Sequence, residues 1–348
     1  MTFDDQDIAA IQSLGYTADE ARFLYLVAIH SGYFVPRQFL TFIGAKWRSQ
    51  SQNFVLKLER RGHVTWREYG PIGGVYHLFS RTVYRCTGKD NLSSRLRHSV
   101  DFIRTRLLLL DFIVENSGFA YFETEPEKAA YFSDVLGIPK EALPAKTYED
   151  GSGREPTVRY FADKFPIFLD HTAPGAAPVI TFSYIDPGLI RLAGFNNHLR
   201  TYLPLLRRLE RFSFLYIANS EVHFLEAEKR FSTLVHASLK TDNLTDILRY
   251  FRLRNAWELR QYGSLSTSDV EWLKEALRRF HGDRFEDLYH AWASGALTEP
   301  TLRAEFDPSP LLGDACFRTC LVPLTRFGKK RLAEDSASAL HSCASPDA

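Results

Sequence analysis

The stretch that decides the fold of this chain occupies residues 46–64 and has the sequence KWRSQSQNFVLKLERRGHV. One set of its side chains recurs at intervals of three and four residues, the spacing of a single helix face. This set is Trp47, Ser51, Phe54, Val55 and Leu58. The opposite side is polar and largely cationic, with Arg48, Gln50, Gln52, Asn53, Lys57 and Arg61. The pattern predicts an amphipathic helix that ends near Gly62, a residue type favoured just past a helix C-terminus.

The segments around this helix predict three further helices and a hairpin. Apolar residues at helical spacing indicate helices over residues 5–14 and 18–31, and Pro36 is placed to open a short helix that ends at Gly44. Downstream, aromatic residues indicate two strands joined by the turn sequence PIGG of residues 71–74. Helices followed by a β-hairpin within about 80 residues is the order of a winged helix-turn-helix, in which the second helix of the pair enters the DNA major groove.

The composition of the chain is that of a packed protein with more than one domain. At 348 residues, with 45% hydrophobic and 14% aromatic content, the sequence has room for two or more domains. The start MTFDDQD lacks the basic and apolar regions of an export signal, and no apolar run is long enough for a membrane span. The four cysteines lack the paired spacing of a metal site. We therefore expect a bacterial cytoplasmic protein with reduced thiols and no membrane contact.

Positive charge is concentrated in one segment. The net charge is only +1, but residues 46–97 hold eleven Lys or Arg residues against three acidic ones. This local surplus of eight positive charges requires the rest of the chain to be net acidic. A polyanion binds where positive charge is locally concentrated, even when the net charge of the protein is small. We therefore expect a nucleic-acid contact in this segment.

The whole chain predicts a mixed fold of α+β and α/β character in five parts. They are an N-terminal winged helix-turn-helix (1–94), a long connecting helix (95–118), a small α/β domain (119–238), a helical C-terminal extension (239–333) and a disordered tail (334–348). The connecting helix is apolar on most of its circumference, which indicates burial on more than one side. We expect it either to pack between domains or to pair with its copy in a homodimer through residues 95–116.

The α/β domain is predicted from its apolar runs. Residues 157–170 indicate two short strands, and residues 178–188 form a continuous apolar run typical of a buried strand. A helical stretch over residues 189–209, interrupted by Pro204, separates this strand from another over residues 212–220. Strand, helix and strand in this order imply a right-handed crossover and a small sheet.

The polar face of the quoted helix favours DNA binding over a merely solvated surface. It is rich in Gln, Asn and Ser, which hydrogen-bond base edges, whereas an ordinary surface helix favours Glu and Lys. It contains one acidic residue, Glu59, near its end. Cationic side chains would contact phosphates and guanine, amides would contact adenine, and the hairpin would lie along the backbone or minor groove. The predicted contacts with double-stranded DNA are Lys46, Arg48, Ser49, Gln50, Gln52, Asn53, Lys57, Arg61, Arg67 and Tyr69.

Two other functions remain open. A metal-dependent nuclease of the restriction type needs one carboxylate at a strand end and a Glu-x-Lys pair on the next strand. Asp163 and Asp186 are the available carboxylates, but the second strand offers Thr181, Ser183 and Tyr184 instead of Glu and Lys. The other alternative is a protein-interaction adaptor in which the winged helix docks a partner. Because no catalytic, metal-binding or nucleotide-binding motif is present, we expect no catalytic centre, no metal and no cofactor.

The segments LVAIHSGYF, LKLERRGHV, VYHLF and RLRHSV together resemble the replication-relaxation family of plasmid and mobile-element proteins. The resemblance covers about residues 10–235 and implies a winged helix joined to a domain similar to a restriction-nuclease core. ADKF, around Asp163, falls where the family tends to have a Pro-Asp-Gly turn, YIDPG falls where it often has Glu-x-Asp-x-Gly, and HLRTYLPLL resembles the helix that follows. Tyr184 stands at the acidic strand position of the family. The resemblance therefore implies a DNA-binding protein with a non-catalytic second domain, acting in transcriptional regulation or in replication or mobilisation of an element.

Overall fold

The computed structural model has a mixed α/β fold and describes residues 3–69, 73–88, 93–148, 157–163, 165–170, 178–188, 192–236, 244–305 and 314–322. Its N-terminal part contains the helices α1 (Asp5–Ser13), α2 (Ala18–Leu26), α3 (Pro36–Phe42), α4 (Arg48–Arg60) and α5 (Arg81–Cys86), followed by the long helix α6 (Val100–Glu115). Its short strands are β1 (Tyr33–Phe34), β2 (Val64–Glu68) and β3 (Gly74–Leu78). β3 lies between β1 and β2 in an antiparallel sheet. The helix predicted within residues 46–64 is α4, and the predicted hairpin is β2–β3.

Local signals explain where the first helices begin and end. The Thr17 side chain accepts from the Glu20 N–H, and the Glu20 carboxylate accepts from the Thr17 N–H, so α2 opens with a capping box. Pro36 opens α3, where its missing N–H would have no helical partner anyway. α2 continues through one π-helical turn to Ser31, and Gly32 then enters the left-handed region at a φ of 80°.

The three-stranded sheet is covered on both faces. Phe34, Val64 and Leu78 point to one face and pack in the core shared with α2 and α4. Tyr33 and Val75 point to the other face and pack against α6. Side-chain alternation therefore gives β1 and β3 buried residues on both faces, whereas in β2 only Val64 is buried.

α6 is buried by the chain itself along most of its length. Residues 106–114 are nine consecutive buried positions, so no side of the helix is open there. Leu107 packs against the three-stranded sheet, whereas the Phe112 ring contacts Phe168, which belongs to a second sheet. The structure agrees with packing between domains. It does not support the homodimer expected through residues 95–116, because the apolar surface that would pair is already covered.

The second sheet has five strands. They are β4 (Ala120–Tyr121), β7 (Ile167–Asp170), β8 (Val179–Asp186), β9 (Arg211–Ala218) and β10 (Asp314–Leu321), in the order β10-β9-β8-β7-β4. β8, β9 and β10 are parallel, and β7 is antiparallel to both β8 and β4. The helices α8 (Ala193–Leu206) and α9 (Phe224–His236) cover one face, and α6 covers the other. α7 (Glu125–Ala130) and the separate antiparallel pair β5 (Ala145–Tyr148) and β6 (Thr157–Tyr160) precede β7.

The strands predicted within residues 157–170, 178–188 and 212–220 are present, but the helix between them differs from the prediction. α8 runs through Pro204 without a break. Pro204 lies in the last turn of α8, so its ring removes only one hydrogen bond close to the helix end. Residues 189–191, which were expected to begin this helix, lie outside the described part of the chain.

The C-terminal extension is helical only in part. α10 (Leu244–Glu258), α11 (Thr267–Arg279), α12 (Asp283–Ala293) and α13 (Glu299–Glu305) share an apolar core of their own. The prediction of a helical extension over residues 239–333 is wrong at β10, which pairs with β9 at the edge of the five-stranded sheet. Strand pairing is favoured there because Phe317 packs on Phe231 of α9, while Arg318 reaches Asp170 (3.0 Å) on the opposite face.

None of the described helices combines the length and the apolar character needed to cross a membrane. Cys86, Cys316 and Cys320 are free thiols within the described residues. The tail predicted to be disordered, residues 334–348, lies outside them.

A buried polar network fastens α3 to α6. Asp111 of α6 accepts hydrogen bonds from Arg37 (2.6 Å) and from Gln38 Nε2 (2.9 Å). Gln38 also donates to Leu107 O and accepts from the Val35 N–H, each at 2.9 Å. Burial raises the pKa of the Asp111 carboxyl, and Arg37 and Gln38 act against that rise. Because these partners satisfy the buried polar groups of Asp111 and Gln38, the network fixes how α3 sits on α6.

Replacing Asp111 with Ala is expected to lower the free energy of unfolding by about 2 kcal/mol, because Arg37 and Gln38 lose a buried acceptor. Urea denaturation followed by circular dichroism measures the loss. Asp101 provides the matched control on the same helix, since its side chain is 71% exposed. Asp101→Ala should cost less than about 1 kcal/mol. Equal losses in the two variants would contradict the role given to the network.

Candidate nucleic-acid interface

α4 presents a polar stripe to solvent. Its buried side consists of Ser51, Phe54, Val55 and Leu58. With 3.6 residues per turn, the positions opposite this side are Ser49, Gln52, Asn53, Leu56 and Arg60, and all five are exposed. Ser49, Gln52 and Asn53 are among the predicted contacts. Leu56 and Arg60 are not, although the same helical spacing identifies them once the buried side is known.

Lys57 does not belong to this stripe. Its ammonium nitrogen lies 2.6 Å from Glu20 Oε2, and the two side chains are 31% and 11% exposed. The same Glu20 oxygen accepts from the Thr17 N–H at 2.8 Å. The ion pair therefore ties α4 to the capping box of α2. This corrects the expectation of an open cationic side chain at Lys57, because its position on α4 turns it toward α2.

Arg61 is likewise turned toward the body of the protein. Its guanidinium donates to Leu14 O and lies 5.4 Å from the centre of the Tyr16 ring. The Tyr16 hydroxyl is 2.6 Å from His63 Nδ1, and burial, together with the charge of Arg61, lowers the pKa of His63. The C-terminal end of α4 thus rests on the connection between α1 and α2.

The N-terminal end of α4 is open to solvent. Lys46, Arg48 and Gln50 are exposed, as predicted for DNA contacts. Trp47 was expected on the apolar face but is 75% exposed, because it precedes the first helical turn and lies outside the buried side. Within the described residues, neither Lys46 nor Arg48 forms an ion pair, and Arg60 forms none either. The hydrogen-bonding and charge capacity of this end is directed outward.

The hairpin adds an exposed cation and an exposed indole. Arg67 is exposed, and Trp66 is 52% exposed. As neighbours in β2 these two side chains project to opposite faces of the sheet, with Trp66 on the face that packs on α4. The Trp66 indole lies so close to Gly74 that a Cβ there would come within 2.5 Å of it. Tyr69, the other predicted hairpin contact, is half-buried, and its N–H bonds to Gly73 O at 3.0 Å.

A second polar cluster lies in the α/β unit, where Asp163 precedes β7. Asp163 Oδ2 is 3.1 Å from His198 Nδ1. Asp163 Oδ1 accepts from the Tyr202 hydroxyl at 3.2 Å and from the Phe165 N–H at 3.1 Å. Burial raises the pKa of Asp163, but the interaction with His198, the charge of Lys128 and the hydrogen bond from the Phe165 N–H outweigh that effect and leave the pKa below its ordinary value. Both carboxylate oxygens are therefore engaged by the protein.

Two buried cations lie near this carboxylate. Lys128 of α7 is 4% exposed and donates to Phe165 O, and burial lowers its pKa to about 8 against the attraction of Asp163. Arg106 of α6 is also 4% exposed and donates to His30 O at 3.2 Å. Burial lowers the pKa of Arg106 to about 10, again opposed by Asp163. The cluster balances charge at the place where α6, α7 and α8 meet.

Asp186, the other carboxylate of the nuclease alternative, is also engaged. It accepts from the Tyr216 hydroxyl and from a backbone N–H two residues later. The Tyr184 ring lies 5.3 Å from the His198 ring, a partner of Asp163, and 5.7 Å from the Tyr216 ring. Among the residues that the structure describes, no three His, Cys, Asp or Glu side chains form a group that could hold a metal ion. The geometry does not assemble the metal site that this alternative requires from the described side chains.

Comparison of the chain with family models, with curated proteins and with solved structures returns no match.

The buried position of Lys128 predicts a pH dependence of stability. Between its folded pKa of about 8 and the ordinary value of 10.5, the unfolded chain holds a proton that the folded chain has released. Folding therefore becomes more favourable as pH rises through this range. The free energy of unfolding of the natural protein should increase, relative to that of Lys128→Met, by up to about 1.4 kcal/mol per pH unit. Urea titrations from about pH 7.5 to about pH 9.5 measure this difference.

The control for this prediction is Lys140→Met, since Lys140 is exposed. Its stability should follow that of the natural protein across the same pH range. If Lys128→Met also follows the natural protein, the lysine is not buried in its charged form as described.

Proposed function

We propose that the N-terminal part of the chain is a winged helix and that the protein binds double-stranded DNA, with α4 as the recognition helix and β2–β3 as the wing. The order α2, β1, α3, α4, β2, β3 and the pairing of β1 with β3 support this proposal. In such motifs the second helix of the pair enters the major groove. α4 is the second helix of the pair α3–α4. The resemblance to the replication-relaxation family adds the process in which this DNA binding would act. That process is transcriptional regulation, or the replication or mobilisation of a plasmid or mobile element.

The observation that carries the proposal is the exposed stripe of amide and cationic side chains on α4. Arg60 lies in this stripe and Arg48 at the open N-terminal end of the helix; both are exposed and lack an ion pair with any described residue. Gln52 and Asn53 are exposed beside them. Arginine pairs with guanine through two hydrogen bonds, and Asn or Gln pairs in the same way with adenine, so this stripe has the chemistry that distinguishes base pairs in the major groove.

The attachment of α4 also supports the proposal. A side chain that selects a base must be held in register with the groove, so the helix that carries it needs a fixed orientation. The Lys57–Glu20 ion pair and the hydrogen bond from Arg61 to Leu14 O anchor the half of α4 that is turned away from the stripe. Two of the predicted cations thus orient the helix, while the remaining ones face outward.

Arg48→Ala and Arg60→Ala are each expected to weaken binding to a pool of labelled random duplexes and to reduce its salt dependence. The slope of log affinity against log salt concentration should become shallower by about 1 for each lost phosphate contact. Fluorescence anisotropy titrations over a series of salt concentrations measure the slope. Arg208→Ala is the matched control, because Arg208 is exposed on the α/β unit. Salt-insensitive binding, or no binding to any duplex, would overturn the proposal.

Lys57→Ala should behave differently from these variants. Because its ammonium is held by Glu20, we expect the stability of the protein to fall by about 1 kcal/mol while the salt slope of the folded variant stays that of the natural protein. Thermal unfolding and the same anisotropy titrations test the two halves of this statement. A shallower slope with unchanged stability would instead place Lys57 on the DNA.

A further inference from the structure

A second group of cationic side chains lies on the face of the three-stranded sheet that is turned away from α4. Tyr33 and Thr65 both pair with His77, and Arg67 pairs with Val75 two positions along β2. Strand alternation therefore places Arg67 on the same face as His77 and Tyr33. Residues 96–98, which lead into α6, run along this face.

Tyr33 holds that segment in place. Its buried hydroxyl donates to Leu96 O at 3.1 Å and accepts from the His98 N–H at 3.2 Å. Its ring stacks on His77, with ring centres 4.5 Å apart. His98 in turn stacks on Phe102 of α6 at 3.9 Å. Arg97, between the two anchored residues, therefore has a fixed backbone and an exposed side chain.

Positive charge accumulates at this place. Arg67 and Arg97 are both exposed, and neither forms an ion pair with a residue that the structure describes. Burial is the largest cause that lowers the pKa of His77; a hydrogen bond with Ser94 O opposes it, and Arg97 and Arg67 lower the pKa further, so both arginines lie within electrostatic reach of His77. α6 begins immediately after Ser99, and the positive end of its dipole adds to the same field.

Cations that repel one another at a fixed place are stabilised by an anion that binds between them. We propose that Arg67 and Arg97 form a phosphate-binding patch for the DNA backbone on the side of the hairpin away from α4. This inference rests on the proposed function. It adds a contact outside the helix pair and the wing tip, so that the bound duplex is gripped on both sides of the hairpin.

The test compares Arg97→Gln with the control Arg208→Gln in the full-length protein, bound to the labelled random duplex pool. Arg97→Gln should make the salt slope shallower by about 1, whereas Arg208→Gln should leave it unchanged. Ethylation interference on one bound sequence should show phosphates that matter for the natural protein and no longer matter for Arg97→Gln. An unchanged slope and an unchanged interference pattern would overturn the inference.

This failure can be told apart from failure of the proposed function. If Arg48→Ala weakens binding and Arg97→Gln does not, DNA binding stands and the patch does not. If the natural protein binds no duplex, both fall together.

Tyr33→Phe tests how the patch is positioned. The substitution removes only the hydroxyl that holds residues 96–98, so it should reduce the salt slope in the same direction as Arg97→Gln without loss of the folded circular dichroism spectrum. A slope identical to that of the natural protein would count against the patch being held by Tyr33.

Discussion

Burial of residues 106–114 of α6 on all sides is the constraint on which the rest of this structure depends. The three-stranded sheet packs on it through Leu107, and the five-stranded sheet packs on it through Phe112. Neither unit can move away from α6 without exposing large apolar side chains, each worth about 1.5–3 kcal/mol when buried. The polar groups inside this helix obey the same constraint. Arg106 bonds to His30 O, and Asp111 bonds to Arg37, so each is satisfied by a neighbouring element.

The sequence predicts α4 well because its buried residues follow the helical period, but it does not say which part of the polar side is open. The polar positions of α4 cover more than half of its circumference, and the α1–α2 connection covers one edge of them. On that edge Lys57 pairs with Glu20, and Arg61, although exposed, donates to Leu14 O. Leu56 and Arg60 fall in the open centre. The tertiary positions of Glu20 and Leu14, which are both distant in sequence, separate the two groups. Helix periodicity alone contains no information about such a neighbour.

The same dependence on distant neighbours decides which strands of the α/β unit can be predicted from the sequence. β8 and β9 are continuous apolar runs bounded by turns, so local sequence is enough to predict them. β10 follows four helices in the chain, and only its pairing with β9 makes it a strand. Its alternation is a weak local signal, since Phe317 faces the α9 core while Arg318 bonds to Asp170 and Ser213 on the other face. Pairing partners this far apart in sequence are beyond what propensity can identify.

Ion pairing alone does not argue for an anionic partner at the N-terminal end. In the C-terminal helices, Arg249 pairs with Asp269 and Arg254 pairs with Glu286, whereas Arg60 of α4 forms no ion pair with a described residue. A solvated cation without an ion-pair partner lowers the stability of a protein little. The lack of such a partner alone is therefore no evidence for a binding site. Gln52 and Asn53 are weaker helix formers than Glu or Lys would be on a solvent-facing stripe, and they add no charge for solubility. Beside arginines that pair with no described residue, they would offer the proposed DNA partner contacts to both phosphates and base edges.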